Sequence, residues 1–415
     1  MTPEAARRLP WLVAVVGGVG FVVLAAVLVP WQPVPGGMPS PVPASEVLTP
    51  EQLARAEDYA GTTRLLAWAS LAVSLAVSCV LGFTPLGTRL LGPRRLPWPV
   101  TVIGLATVVL LVGRLATLPF GWVLQRRRVD YGLSTQSDVA WLLDQVRGLG
   151  VAVVGTSIAL LVLVGCARRW RTWWPVIAAG VSAALVLLGS FVYPLLVEPL
   201  FNDFTSMPDG ELRTQILRLA DEEGVTVDDV LVADASRRTT TLNAYVSGFF
   251  GTRRVVVYDN LVDDQPEDQV LSVVAHELAH ARHDDVLVGT ALGAFGAVLG
   301  VGLLAGVIGT AGVRRRAGVT GMSDPRSVAL VLALLAVASL VASPVENGIS
   351  RQIETRADVD ALEVTGDPEA FIALQRALAV RSLADPSPPA WSQFWFGSHP
   401  TPGQRIALAR KVGTS

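Results

Sequence analysis

Seven runs of apolar residues dominate this chain, each near or above the roughly 20 residues that carry a helix across a hydrocarbon core. They cover about 10–31, 65–84, 98–124, 148–167, 173–200, 286–313 and 326–345. Such a chain has few choices. Inside a bilayer every backbone N–H and C=O must be paired within the protein, so runs of this length span as helices. Composition agrees: 51% of residues are hydrophobic and 16% charged, against about a quarter charged in a soluble domain. Six runs have uncharged interiors. The third carries Arg114, which must snorkel to a span end or face a water-filled cavity. Trp11, Trp31, Trp98, Trp122, Trp170, Trp173 and Trp174 stand at run ends, where an aromatic ring is half wet. The first run follows Arg7 and Arg8 as a signal peptide would. It is longer than a signal core and no small-x-small cleavage site follows, so it reads as a retained span.

The remaining composition excludes more than it assigns. A net charge of −2 gives no electrostatic reason for a nucleic-acid partner. Cys79 and Cys166 both sit in apolar runs, too few for a thiolate metal site and best read as small buried hydrophobes.

Two polar regions flank the last two spans, which divides the chain into 1–200 (five spans and their loops), 201–285, 286–345 (spans six and seven) and 346–415. Ahead of the second span, Thr49, Pro50 and Gln52 form an N-cap, first helical position and capping box. In 201–285, "DGELRTQILRLADEEG" places Leu212, Ile216 and Leu219 at helical spacing. Short strands follow in "VDDVLVADA", "TTTLNAYVSGFF" and "RRVVVYDNL", the last two joined by a hairpin turn at Gly251-Thr252. Residues 346–415 read as helical to about 382, then as loop, then as helical from Pro402.

Three of the four histidines, His276, His280 and His283, fall in "LSVVAHELAHARHDD". His276 and His280 are four apart and share one helical face. With Glu277 between them they make H-E-x-x-H: two neutral imidazoles for zinc, and a carboxylate placed to take a proton from water. His283 does not belong to that set. Seven residues of continuous helix rise about 10.5 Å, too far for one ion with bonds of about 2.1 Å, and no glycine breaks "HARHDDV". It reads as a neighbour of the site or a surface residue. A third ligand is offered by "VENGISRQIETRADVDALEVTG". Glu354 and Asp358 share a helical face there; the first can complete a two-His, one-Glu site and the second can orient a ligand ring. On spacing alone, the same segment reads equally as a solvated charged helix.

"HELAH" with "SRQIETRAD" resembles the CAAX prenyl endopeptidase type 1 family of membrane zinc metalloproteases. "VEPLFNDFTSMPDGELR", "LNAYVSGFFGTRRVVVYDNLV", "GSHPTPGQRI" and "YGLSTQSDVAWLLDQVRGL" are similar to further family segments. The likeness covers roughly residues 100–410; the first two spans match by number and hydrophobicity. It implies one zinc ion per chain held by His276, His280 and Glu354, with Glu277 as base. It places Asp358 behind a ligand, and His399 and Arg405 near the scissile carbonyl. It implies an α-helical integral membrane protein of about seven helices around a chamber, with a zincin-like catalytic domain of helices and a small β-hairpin or sheet. Arg114 would then face chamber water. The strand at "LNAYV" is placed to bind substrate backbone by edge addition, with Asn243 and Ala244 nearest the metal.

The expected function is therefore hydrolysis of peptide bonds by a membrane-embedded zinc metalloendopeptidase. Its partners are a peptide or protein substrate, free or membrane-anchored, and the lipid bilayer. A quality-control protease of the HtpX type is the alternative within enzymes, and a non-catalytic zinc-binding membrane protein is the alternative outside them. The chain is a multi-pass cell-membrane protein. The resemblance puts the site on the cytoplasmic side, and the arginine count opposes it. Loops on the N-terminal side hold Arg7, Arg8, Arg89, Arg94, Arg95, Arg168, Arg169, Arg171, Arg314, Arg315, Arg316 and Arg326; short loops on the catalytic side hold Arg55, Arg64, Arg126, Arg127, Arg128 and Arg147. The positive-inside rule then puts the site outside.

Overall fold

The computed structural model describes residues 3–91, 96–248 and 253–414. Helices α1 (Pro3–Leu28), α2 (Ala44–Val47), α3 (Pro50–Phe83), α4 (Leu86–Arg89), α5 (Trp98–Asp130), α6 (Asp138–Arg169) and α7 (Trp174–Val192) come first. Strand β1 (Phe204–Ser206), α8 (Glu211–Glu222), β2 (Asp229–Ala233), β3 (Ala244–Ser247), β4 (Arg254–Tyr258), α9 (Asp259–Asp264) and α10 (Glu267–Arg282) follow. The chain then returns to the membrane in α11 (Asp285–Gly309), α12 (Ala311–Ala317) and α13 (Val328–Thr365), and ends in α14 (Pro368–Ser382), α15 (Ala390–Phe396) and α16 (Pro402–Val412). Seven of these helices are long and apolar enough to cross a membrane: α1, α3, α5, α6, α7, α11 and α13.

Several run beyond their apolar stretches on the catalytic side. α3 starts where the capping box puts it: Thr49 Oγ1 accepts from the Gln52 amide, and the Gln52 side chain accepts from the Thr49 amide. α13 crosses the expected boundary at 345 without a break, carrying the seventh span and the Glu354 segment on one rod that ends at Gly366 in the left-handed region (φ 60°). Pro344 lies inside it and removes one backbone donor without ending the helix.

The membrane helices form a ring. α11 packs on α7, α7 on α6, α6 on α5, α5 on α3 and α3 on α13, which meets α11 again; α1 lies outside against α11 and α7. The α1–α11 contact is backbone to backbone. A Cβ on Gly17 would stand 2.3 Å from Leu299 N, and one on Gly302 2.3 Å from Ala14 N, so glycine permits an approach that any side chain would block. The largest core of the membrane helices lies at the end remote from the catalytic segments, where Leu105, Val164, Ala178, Leu304 and Val331 pack together, and a smaller cluster of Ala25, Val29, Leu292 and Ile349 lies toward the other end. α7 buries only Pro175, Ala178 and Ala179, all in its first turns. The catalytic segments sit over one end of this ring.

The roof holds a four-stranded sheet of order β1-β2-β4-β3. β2 and β4 are parallel, and β1–β2 and β3–β4 antiparallel. Ile216 and Leu219 of α8 and Val270, Val274 and Leu278 of α10 pack with Val230, Val255 and Val257 of the sheet. The sequence reading missed β1, which is three residues long. It also overextended β3. Thr240 is no strand residue; its N–H bonds the Leu133 carbonyl and its hydroxyl the Gly132 carbonyl, tying the segment to the α5–α6 loop. The expected turn at Gly251-Thr252 lies outside the described residues, though its flanking strands pair as a hairpin would.

Candidate metal and catalytic centre

α10 begins after Pro266 and buries Val270, Val274 and Leu278 against the sheet. That register turns His276, Glu277 and His280 toward α13. Glu354 arrives from α13, and two ring nitrogens converge with the two oxygens of its carboxylate. His276 Nε2 is 3.1 Å from Glu354 Oε2, His280 Nε2 is 3.2 Å from His276 Nε2, and His280 Nε2 is 3.8 Å from Glu354 Oε1. The other nitrogen of each ring is taken: His276 Nδ1 lies 2.9 Å from Asp358 Oδ1, and His280 Nδ1 lies 2.9 Å from Asp285 Oδ2. A carboxylate only accepts, so each Nδ1 carries the proton and each Nε2 presents a lone pair. With the rings neutral, two lone pairs and a carboxylate face one another, an arrangement satisfied either by protons on the Nε2 atoms or by a cation in their place. Tetrahedral bonds of about 2.0–2.2 Å set ligand atoms about 3.3–3.6 Å apart, which brackets the mean of these edges.

Electrostatics point the same way. Burial alone lowers the pKa of both rings. Hydrogen bonds to Asp358 and Glu354 outweigh it at His276, and those to Asp285 and Glu354 outweigh it at His280, which rises to about 10. The centre therefore attracts positive charge, as protons or as a metal that displaces them. Burial raises the Glu277 carboxyl, and among the described residues its side chain makes no hydrogen bond, leaving it free to exchange protons.

Asp358 has no exposed side-chain surface, and Arg405 of α16 grips it: Nε donates to Oδ2 at 2.8 Å and Nη2 to Oδ1. Arg405, expected near the scissile carbonyl, lies beside the centre and engages this carboxylate. Its guanidinium stands behind Asp358, with Nη2 3.5 Å from His276 Nδ1 and its carbon 5.6 Å from the centre of the Phe371 ring. Its Nε and one Nη2 donor are engaged by that buried carboxylate. His399 does reach the centre, with Nε2 3.3 Å from Glu354 Oε1 and 57% of its side chain exposed. Its ring is lowered in pKa by burial first. Its loop is tied down by Gln393 Nε2, which donates to the His399 carbonyl at 2.7 Å, and by Arg351, which donates to the carbonyls of Gln393 and Gly397.

His283 stays out of the cluster. It caps the end of α10 and pairs through Nε2 with Asp360 at 2.7 Å. Strand β3 is an edge of the sheet and packs on α10. Asn243 is exposed and Ala244 buried. The Tyr258 amide donates to the Asn243 carbonyl, so by antiparallel alternation the backbone groups of Ala244 and Val246 point off the open edge. The sequence reading missed Asp285 and its partner Arg356. Asp285 is five residues after His280, a spacing that on an unbroken helix faces elsewhere. Asp284 breaks the helix in the left-handed region (φ 52°); the signal available was that aspartate is one of the few residues that tolerate this conformation.

Comparison with known proteins matches both halves. The family model for peptidase family M48 matches residues 206–412, and that for the CAAX prenyl protease N-terminal region with five membrane helices matches residues 37–203. The likeness thus begins well before residue 100. An uncharacterized metalloprotease, YhfN, of Bacillus subtilis is 28% identical over 379 residues, covering 89% of this chain and 88% of its own. CAAX prenyl protease 1 of Saccharomyces cerevisiae is 29% identical over 161 residues, 38% of this chain and 35% of its own. The crystal structure of S. mikatae Ste24p superposes with a TM-score of 0.79 at 20% identity, covering 97% of this chain and 99% of that one, and shows the same fold.

Proposed function

The chain belongs to peptidase family M48 and is a membrane metalloendopeptidase; on that premise we propose that its metal is one zinc ion held by His276, His280 and Glu354. The observation that carries this is the convergence of two imidazole Nε2 atoms and a carboxylate, each ring held at Nδ1 by a further carboxylate. A zinc ion bound there would supply polarisation of the scissile carbonyl and acidification of water.

The chain's own residues do the rest. Glu277 takes the proton of the attacking water on a carboxylate oxygen and returns it to the nitrogen of the leaving amine. His399 donates from Nε2 to the carbonyl oxygen as negative charge grows there; its exposure supports this role. Asp358, clamped by Arg405, fixes the tautomer of His276. The substrate lies extended along β3, its backbone bonded to the free groups of Ala244 and Val246, with Asn243 at the exposed start of that edge.

The substrate is a peptide segment presented from the side of the membrane helices. Apolar side chains exposed along ring helices, such as Leu187 and Leu188 on α7 and Val341 and Val345 on α13, suit a protein held at the membrane by an apolar anchor. Processing of C-terminal CAAX sequences, the activity for which the eukaryotic relatives are named, is the specific form of this reading. The test is Glu277→Gln. It should lower peptidase turnover by roughly 10²–10⁴-fold, while the protein keeps its metal. New protein termini that vanish from the membrane proteome of the variant strain identify the substrates. Wild-type turnover in the variant would remove Glu277 from the mechanism.

A further inference from the structure

His280 is held from behind by a pair of residues on two other elements. Asp285 is the first residue of α11, and Arg356 lies on α13 just past Glu354. Asp285 Oδ2 is 2.9 Å from His280 Nδ1, and Arg356 Nη2 donates to Asp285 Oδ1. Both side chains are largely buried, Asp285 at 8% and Arg356 at 18% exposure.

We propose that Asp285 and Arg356 are a positioning pair for His280, the counterpart at the second histidine of Asp358 and Arg405 at the first. This rests on reading His280 as a metal ligand. The two arrangements share one order, ring, carboxylate and guanidinium, but draw it from different elements. Asp358 and Arg405 come from α13 and α16, Asp285 and Arg356 from α11 and α13. Each carboxylate keeps its Nδ1 protonated, leaves Nε2 as the lone pair and adds basicity to the ring. Each guanidinium holds its carboxylate in place.

The backbone is built for the contact. At about 100° per residue, a position five along a continuous helix faces about 140° away from the first. Asp284 in the left-handed region ends α10 and restarts the chain as α11, and that break brings the next residue's carboxylate back under the ring. A carboxylate wanted only at the N-terminus of α11 would need neither His280 nor Arg356 as partner. Asp285 thereby ties a metal-ligating ring to a helix of the membrane ring.

The test is the zinc affinity of the full-length protein in detergent, measured by chelator competition, with visible spectra of the cobalt-loaded form. Asp285→Ala should weaken zinc binding roughly 10–100-fold. Asp285→Asn, nearly isosteric and less prone to misfold, should weaken it by a smaller factor and shift the cobalt bands. Arg356→Gln should act in the same direction. Asp360→Ala breaks the nearby ion pair with His283 and serves as the structural control, with affinity within about twofold of wild type and an unchanged spectrum. Wild-type affinity and spectrum in both Asp285 variants would overturn the pairing role while leaving the metal site standing. A His280→Ala variant that binds zinc like the wild type would overturn the metal site, and the positioning pair with it.

Discussion

Arg405 and Asp358 are packed against the Phe371 ring with almost no contact with solvent. Removing one partner of such a buried pair leaves the other charge uncompensated, at a cost of about 3–5 kcal/mol. Arg405→Ala should therefore lower the thermal midpoint in detergent and weaken zinc binding together. A variant with a wild-type midpoint but abolished turnover would place Arg405 at the scissile carbonyl. Glu354 and His283 separate in the same way. Glu354→Ala removes a converging oxygen and should lose most bound zinc. His283→Ala breaks a partly exposed pair worth about 0–1 kcal/mol and should change neither metal content nor turnover by more than a small factor. Metal analysis giving the reverse order would refute the assignment of the third ligand to α13.

α13 owes its second task to the proline inside it. Pro344 has no N–H, so the carbonyl four residues earlier, on Leu340, loses its helical partner. Trp395 of α15 fills the place: its Nε1 donates to the Leu340 carbonyl at 3.0 Å. Ser343 and Asn347 then bond the Trp395 carbonyl, and Arg351 the carbonyls of Gln393 and Gly397. One helix face thus carries, in order, the anchor for α15, the ligand Glu354 and the carboxylate Asp358, and the His399 loop is positioned through that anchor. Trp395→Phe should leave the Leu340 carbonyl unpaired, at about 1–3 kcal/mol. It should reduce turnover through a displaced His399 while zinc content stays unchanged. Unaltered turnover and melting would show that the backbone contacts alone hold α15.

The whole molecule has two unlike ends. The end remote from the catalytic segments carries the loops with Arg7, Arg8, Arg89, Arg171, Arg315 and Arg316, all exposed; Arg94 and Arg95, counted with them, lie outside the described residues. At the catalytic end Arg64 pairs with Asp385, Arg126 with Asp138, and Arg55 donates to the Tyr131 carbonyl. The larger number of loop arginines next to the membrane is the feature retained on the cytoplasmic side. The proposed orientation therefore puts the remote end in the cytoplasm and the catalytic roof outside. Phosphatase fused after Ser415 should be active at the cell surface. A fluorescent reporter that matures there only in the cytoplasm would reverse the orientation, and with it the compartment of the substrate.

What the sequence determined by itself was whatever repeats locally. Seven apolar runs set the membrane part because a bilayer admits few backbone solutions. The H-E-x-x-H spacing set His276, Glu277 and His280 on one face because a helix turns every 3.6 residues. The capping box at Thr49 set where α3 begins. Tertiary structure decided whatever depends on a partner distant in the chain or on a break in a period. Glu354 was legible as a ligand candidate, yet spacing alone could not part it from a solvated face. Arg405 was found by its motif but not its direction, which Asp358 fixes. Asp285 was invisible, because its place beside His280 exists only after Asp284 leaves the helical region. β1 was too short to show a period and is a strand only because β2 lies beside it. Local hydrogen bonding and hydrophobic periodicity are written in neighbouring residues; the lone pairs that meet at the metal centre come from helices 78 residues apart in the chain and meet only when the ring and its roof close.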